Sequence, residues 1–133
     1  MLKPDFDKYS LALVREDKIV FSINGQGLRP LVDCLDRYGA AQGKFVLHDK
    51  VTGLAAARLV FYAGIISAVH TLAASRPARD FLRENGIDLY AGEITANILT
   101  KDRQAVCPGE IIALNEADPA QFIQSIKDML NKA

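Results

Sequence analysis

The chain has 133 residues, half of them hydrophobic, with 16 basic and 16 acidic side chains and no formal net charge. That is one domain, residues 1–133, with room for a real core, and its charge balance excludes binding to nucleic acid or an anionic membrane through bulk electrostatics. Two cysteines are too few for a disulfide framework or an all-thiolate zinc site, and no segment approaches the roughly 18 apolar residues of a membrane span. The opening MLKPDFDKYS lacks the apolar run of a secretory signal, so a reduced, cytoplasmic protein is expected.

Leu11–Arg15 and Lys18–Asn24 are β-rich runs, and Ile19, Phe21 and Ile23 alternate with period 2. With Glu16-Asp17 between them they predict a hairpin, although that pair is not a favoured tight turn. Leu28, Leu31, Val32 and Leu35 recur at helical spacing and predict a helix over Pro30–Tyr38, with Pro30 in its first turn and Gly39 at its end. A strand at Phe45–Leu47, a helix over Thr52–Tyr62 and a strand at Ile65–Val69 follow. Ser75 then caps a helix that has Pro77 near its start and Asn85-Gly86 at its end. Ile87–Tyr90 is a fifth strand and Pro108–Leu114 a short helix. Asp118-Pro119 opens a last helix, whose apolar face is Phe122, Ile123, Ile126, Met129 and Leu130.

A hairpin feeding helix-linked strands predicts an α/β domain, a mixed five-stranded sheet with helices on both faces. If the first strand pairs with the third, the order is 2-1-3-4-5. The carboxyl ends of strands two and three then meet the amino ends of the helices that follow them. Asn24–Pro30 and His48–Gly53 are thereby placed at one edge, where open α/β sheets bind ligands.

Lys44–Ala63 is the most informative stretch, a buried strand running through a polar turn into an alanine-rich helix. Lys50, Thr52 and Gly53 have the chemistry to hold an anion: a cation, a hydroxyl and a small residue that leaves helix N–H groups accessible. The phosphate-loop pattern is absent, and the bland alternative is that Thr52 caps the helix while Lys50 is solvated. Asp49 is suited to a ribose hydroxyl or to general-base work, and equally to a helix-dipole charge. His48 ends the strand, and burial with its hydrogen bonds satisfied is its commoner fate. Gly27 and Arg29 belong to a loop able to wrap a ligand, with Arg29 facing a phosphate. Cys107, before Pro108 and a short helix, is placed for a lowered thiol pKa and hence a nucleophilic or redox role. Glu110, three residues on, reads as the acidic half of a capping arrangement. Cys34 falls in an apolar helical pattern and reads as core.

Gly27-Leu28-Arg29-Pro30-Leu31, Asp49-Lys50-Val51-Thr52-Gly53-Leu54-Ala55-Ala56-Ala57 and Cys107-Pro108-Gly109-Glu110 together resemble the bacterial domain-of-unknown-function 1893 family over most of the chain. The resemblance implies a cytidine-deaminase-like fold, a three-layer α/β/α arrangement, and no established activity. Zinc deaminases need a His or Cys beside a catalytic Glu at one helix start and Pro-Cys-x-x-Cys at the next. Here those starts are Leu28-Arg29-Pro30 and Lys50-Val51-Thr52-Gly53, so no metal, no other cofactor and no deaminase chemistry are expected.

Three functions compete. The first is a binder of a nucleotide or another phosphorylated small molecule at the predicted edge. The second is a metal-independent enzyme using Cys107 with Asp49 or Lys50. The third is a non-catalytic interaction protein. A polar pocket without Cys107 favours the first, one containing it the second, and a filled pocket the third. Self-association is compatible with an α/β domain of this size.

Overall fold

The computed structural model describes residues 1–98 and 107–132. Strands β1 (Leu11–Arg15) and β2 (Lys18–Ile23) form the expected hairpin. Its turn residues Glu16 and Asp17 both take positive φ, 52° and 60°. That is the turn geometry whose twist matches antiparallel strands, here adopted without the usual Asn or Gly. Leu13 pairs with Phe21 but Val14 with Ile19, so Val20 is a bulge on the edge strand.

Helix α1 (Arg29–Tyr38) leads to β3 (Phe45–Asp49), and β4 (Val51–Thr52) to α2 (Leu54–Ala63). Then come β5 (Ile66–Ser75), α3 (Arg76–Glu84), β6 (Asp88–Thr95), α4 (Pro108–Asn115) and α5 (Pro119–Asn131). The sheet runs β2-β1-β3-β5, with β4 and β6 both paired to β5. His48 faces His70 and Val51 faces Ala73 at the same offset, so β3 and β4 are one strand interrupted by a bend at Lys50. Counted that way, the order is the expected 2-1-3-4-5, with β1 antiparallel to its neighbours and the rest parallel.

Strand β5 runs to Ser75 rather than stopping at Val69. Ala73 and Ala74 are weak strand formers, but pairing with β4 on one side and β6 on the other overrides propensity. The strand therefore delivers Ser75 straight into α3, where its hydroxyl accepts the Ala78 N–H at 3.2 Å.

The layering differs from the expectation of helices on both faces. The crossovers through α1, α2 and α3 all advance the same way across the sheet, and right-handedness then puts the three helices on one side. Leu11, Leu13, Leu47 and Val69 of the sheet join buried residues of all five helices in one core. Helices α4 and α5 dock on that helical layer, with Phe122 of α5 edge-on to Tyr62 of α2. The opposite face carries Ala12, Val14, His48 and Ala68, and is met by the amino-terminal segment through Tyr9. No helix among the described residues is long and apolar enough to cross a membrane.

Candidate functional site

At the carboxyl edge of the sheet the amino ends of α1, α2 and α4 converge. A Cβ on Gly109, in the first turn of α4, would lie 2.8 Å from Leu28 at the start of α1 and 3.8 Å from Ala55 in α2. Helix α2 opens on Gly53, which has no side chain to cap it. Its first free N–H groups are taken by an acid 56 positions away: Leu54 donates to Glu110 Oε2 and Ala55 to Oε1, each at 2.7 Å. The Glu110 residue is only 5% exposed. Burial raises its pKa, and the bonds from Ala55 and Leu54 pull it back. A Cβ on Gly53 would stand 2.5 Å from that carboxyl group, so glycine is what makes room for it.

The other end of α4 is tied to the same helix. Buried Arg58, one turn into α2, donates to the carbonyl of Ala113 at 2.9 Å and to that of Glu116. Its guanidinium lies 4.0 Å over the Phe122 ring. The two helices therefore run in the same direction, which sets their dipoles unfavourably side by side. A negative group at the amino end of α2 and a positive one at the carbonyl end of α4 offset that.

The sequence candidates divide around this arrangement. Thr52 ends β4 and does not cap α2; its hydroxyl is fully buried and has no hydrogen-bond partner among the described residues. Gly53 is the N-cap position, closed over by Glu110. Lys50 is exposed at the bend, its N–H donating to the Ser10 carbonyl at 2.9 Å. Arg29 donates to the Leu130 carbonyl at 2.8 Å and so ties α1 to α5. Gly27 takes φ 67° in an exposed loop, with nothing among the described residues within 4 Å of where its Cβ would be.

His48 and Asp49 part company because neighbours in a strand point to opposite faces. His48 lies on the face away from the helices, fully buried, with Nδ1 2.7 Å from the Tyr9 hydroxyl. Its ring meets His70 edge-on at 5.3 Å, and His70 stacks on Tyr90 at 4.6 Å. Burial, with the nearby His70 adding to it and a Leu2 backbone contact opposing it, lowers the His48 pKa to about 4. Asp49 is half-buried on the helical side, and burial raises its carboxyl to about 8 against the pull of the Lys50 backbone. The thiol that Asp49 influences is that of Cys34. Burial, then the Asp49 charge, push that thiol up to about 12.

Cys107 is half-buried at the N-cap of α4, its N–H donating to the Ile98 carbonyl at 2.9 Å. Cys34 has no exposed surface. Limited iodoacetamide treatment of the folded protein is therefore expected to modify Cys107 first, as read by peptide mapping. Equal labelling of Cys34 would mean that α1 opens readily.

The residues that reading by eye misses are Tyr9, His70, Arg58 and the long-range role of Glu110. A glycine at a helix start and an acid inside the apolar run Gly109–Leu114 are each legible. Their meeting is not. Among the described residues no group of three or more His, Cys, Asp or Glu is arranged to hold a metal ion. A shallow cavity of about 300 Å³ lies between Arg83 and Tyr90, where α3 turns into β6, at the opposite end of the parallel strands.

The family model described as TM1506, domain of unknown function (DUF1893), matches residues 5–130. Among solved structures, the DUF1893 family protein TM1506 from Thermotoga maritima is 26% identical, with a TM-score of 0.81 over 93% of this chain and 82% of that one. None of the curated proteins matches the chain.

Proposed function

The chain belongs to the DUF1893 family, whose description assigns no activity, and from that premise we propose that the domain is a non-catalytic interaction protein. The observation that carries this reading is the filled edge: the Glu110 carboxylate occupies the α2 amino end where a ligand phosphate would sit. Arg29, Thr52, Gly53 and His48 are likewise committed to intrachain contacts or buried. The reading places the partner on the sheet face opposite the helices. There Ile19 and Tyr90 are each 47% exposed, and cover comes from the amino-terminal segment rather than from a helix. A second copy of the chain is the first partner to test.

Thermal-shift screening of nucleotides and sugar phosphates is expected to leave the wild-type melting temperature unmoved, and Lys50→Ala to change nothing. Sedimentation over a wide concentration range is expected to show association that Ile19→Lys with Tyr90→Lys abolishes. A saturable nucleotide shift lost in Lys50→Ala would restore the small-molecule binder. Absence of both a shift and association would remove the interaction reading.

A further inference from the structure

The sheet face opposite the helices carries a cluster of side chains beneath the amino-terminal segment. His48 on β3 and His70 on β5 are register partners, so both rings rise from one face of neighbouring parallel strands. His48 is fully buried, and its Nδ1 is taken by the Tyr9 hydroxyl at 2.7 Å. That hydroxyl also accepts the Asp5 N–H at 3.0 Å, which fixes its place. The other ring nitrogen of His48, Nε2, has no partner among the described residues. A buried polar atom without a hydrogen bond is costly, and in native structures it calls for an explanation.

The groups gathered around that ring are metal ligands by chemistry. The His70 ring stands 5.3 Å from it, centroid to centroid, and His70 Nε2 lies 2.7 Å from the Met1 sulfur. Two imidazoles that share an ion at about 2.0 Å and an angle of about 110–120° have centroids about 5–5.5 Å apart. The two rings have that spacing. The sulfur is closer to His70 than two ligands of one ion can be, so it must retreat by about 1 Å on binding. Met1 is 69% exposed, and its unbranched side chain has the freedom to do so.

We infer that His48, His70 and Met1 form a binding site for a single cuprous ion. Two imidazoles and a thioether, with no carboxylate in the set, favour Cu(I) over the harder divalent cations. Tyr9 is a positioning residue: its oxygen accepts the Nδ1 proton, which leaves the Nε2 lone pair of His48 for the metal. His70 is held in turn by its stack on Tyr90 at 4.6 Å. The inference goes beyond the interaction reading and stands apart from it, because one chain holds all three ligands whether or not it associates.

The test is an anaerobic titration with Cu(I) against a chromophoric chelator, in a Cys107→Ser background so that the half-buried thiol does not compete. One ion per chain is expected. His70→Gln is expected to weaken uptake at least about 100-fold, more than an outer partner's loss would. Tyr9→Phe is expected to weaken it about 10–100-fold with the same atoms still bound to copper. Cu(I) should raise the melting temperature of the parent and not that of His70→Gln, whose metal-free melting also reports that it folds. Copper-edge X-ray absorption of selenomethionine-labelled protein should show two nitrogens and one selenium. The other methionine, Met129, belongs to α5 and packs against the core on the helical side. No uptake, or uptake unchanged in His70→Gln, would overturn the site. Zinc taken in preference to Cu(I) would overturn the choice of ion, and a shell without selenium the part given to Met1.

Discussion

Gly53→Ala is expected to melt about 10 °C below the wild type, a loss of about 2–4 kcal/mol. The backbone does not cause this. Gly53 has φ −94° and ψ −176°, which any residue adopts, and alanine in place of glycine at an N-cap costs at most about 1 kcal/mol. The cause lies in the methyl group, which would stand 2.5 Å from the Glu110 carboxyl group and 2.8 Å from its second oxygen. The carboxylate must withdraw and give up charge-assisted bonds to Leu54 and Ala55. The check is a double-mutant cycle. In a Glu110→Ala background there is no carboxylate to displace, so Gly53→Ala should cost under about 1 kcal/mol. Equal costs in the two backgrounds would show that Gly53 and Glu110 act independently.

The dependence of stability on pH should fall into two regimes, set by adjacent residues with opposite shifts. His48 is lowered from 6.5 to about 4, so the folded state resists its protonation. Stability is full above 6.5 on its account and is lost as pH falls toward 4, about 3 kcal/mol across that window. Asp49 is raised from 3.8 to about 8, so the folded state holds its proton. That contribution is full below 3.8 and is lost as pH rises through 8. Between pH 4 and 6.5 the two slopes oppose each other and the wild type should be nearly flat. From 6.5 to 8 only Asp49 acts, and stability should fall by about 1–2 kcal/mol. Glu110, raised by burial, has the sign of Asp49, and His70, lowered by burial, has the sign of His48. Asp49→Asn should abolish the fall above 6.5 and uncover a rise from pH 4 to 6.5. Urea midpoints at constant ionic strength give both curves. A wild-type profile that matches Asp49→Asn would show that Asp49 ionises normally in the fold.

The two cases share a cause, the desolvation of acids and imidazoles that find hydrogen bonds but, among the described residues, no countercharge. The price of placing Glu110 inside is a site that tolerates only glycine at position 53. Its compensation is the registration of α4 on α2, with Arg58 fixing the opposite end.

The order of strands and helices is a property of the chain read locally. Period-2 alternation at Ile19–Ile23, helical spacing at Leu28–Leu35, the Ser75 cap and the Asn85-Gly86 stop are short-range signals, and each marks an element that the structure contains. Cys34 as core and the meeting of helix starts at the carboxyl edge follow from the same periodicities and from the rules of parallel sheets. Tertiary structure alone decided what occupies that edge. Glu110 is 55 residues from Ala55 and Arg58 is 58 residues from Glu116, and no periodicity reports a partner at such a distance. The same holds for the opposite sheet face, where Tyr9 reaches His48 across 39 residues and the amino-terminal segment stands where a helix was expected. Local pattern determines which residues turn inward. Which inward-facing polar groups satisfy one another depends on the packing of whole elements, because a buried acid takes whichever donors the fold brings within reach.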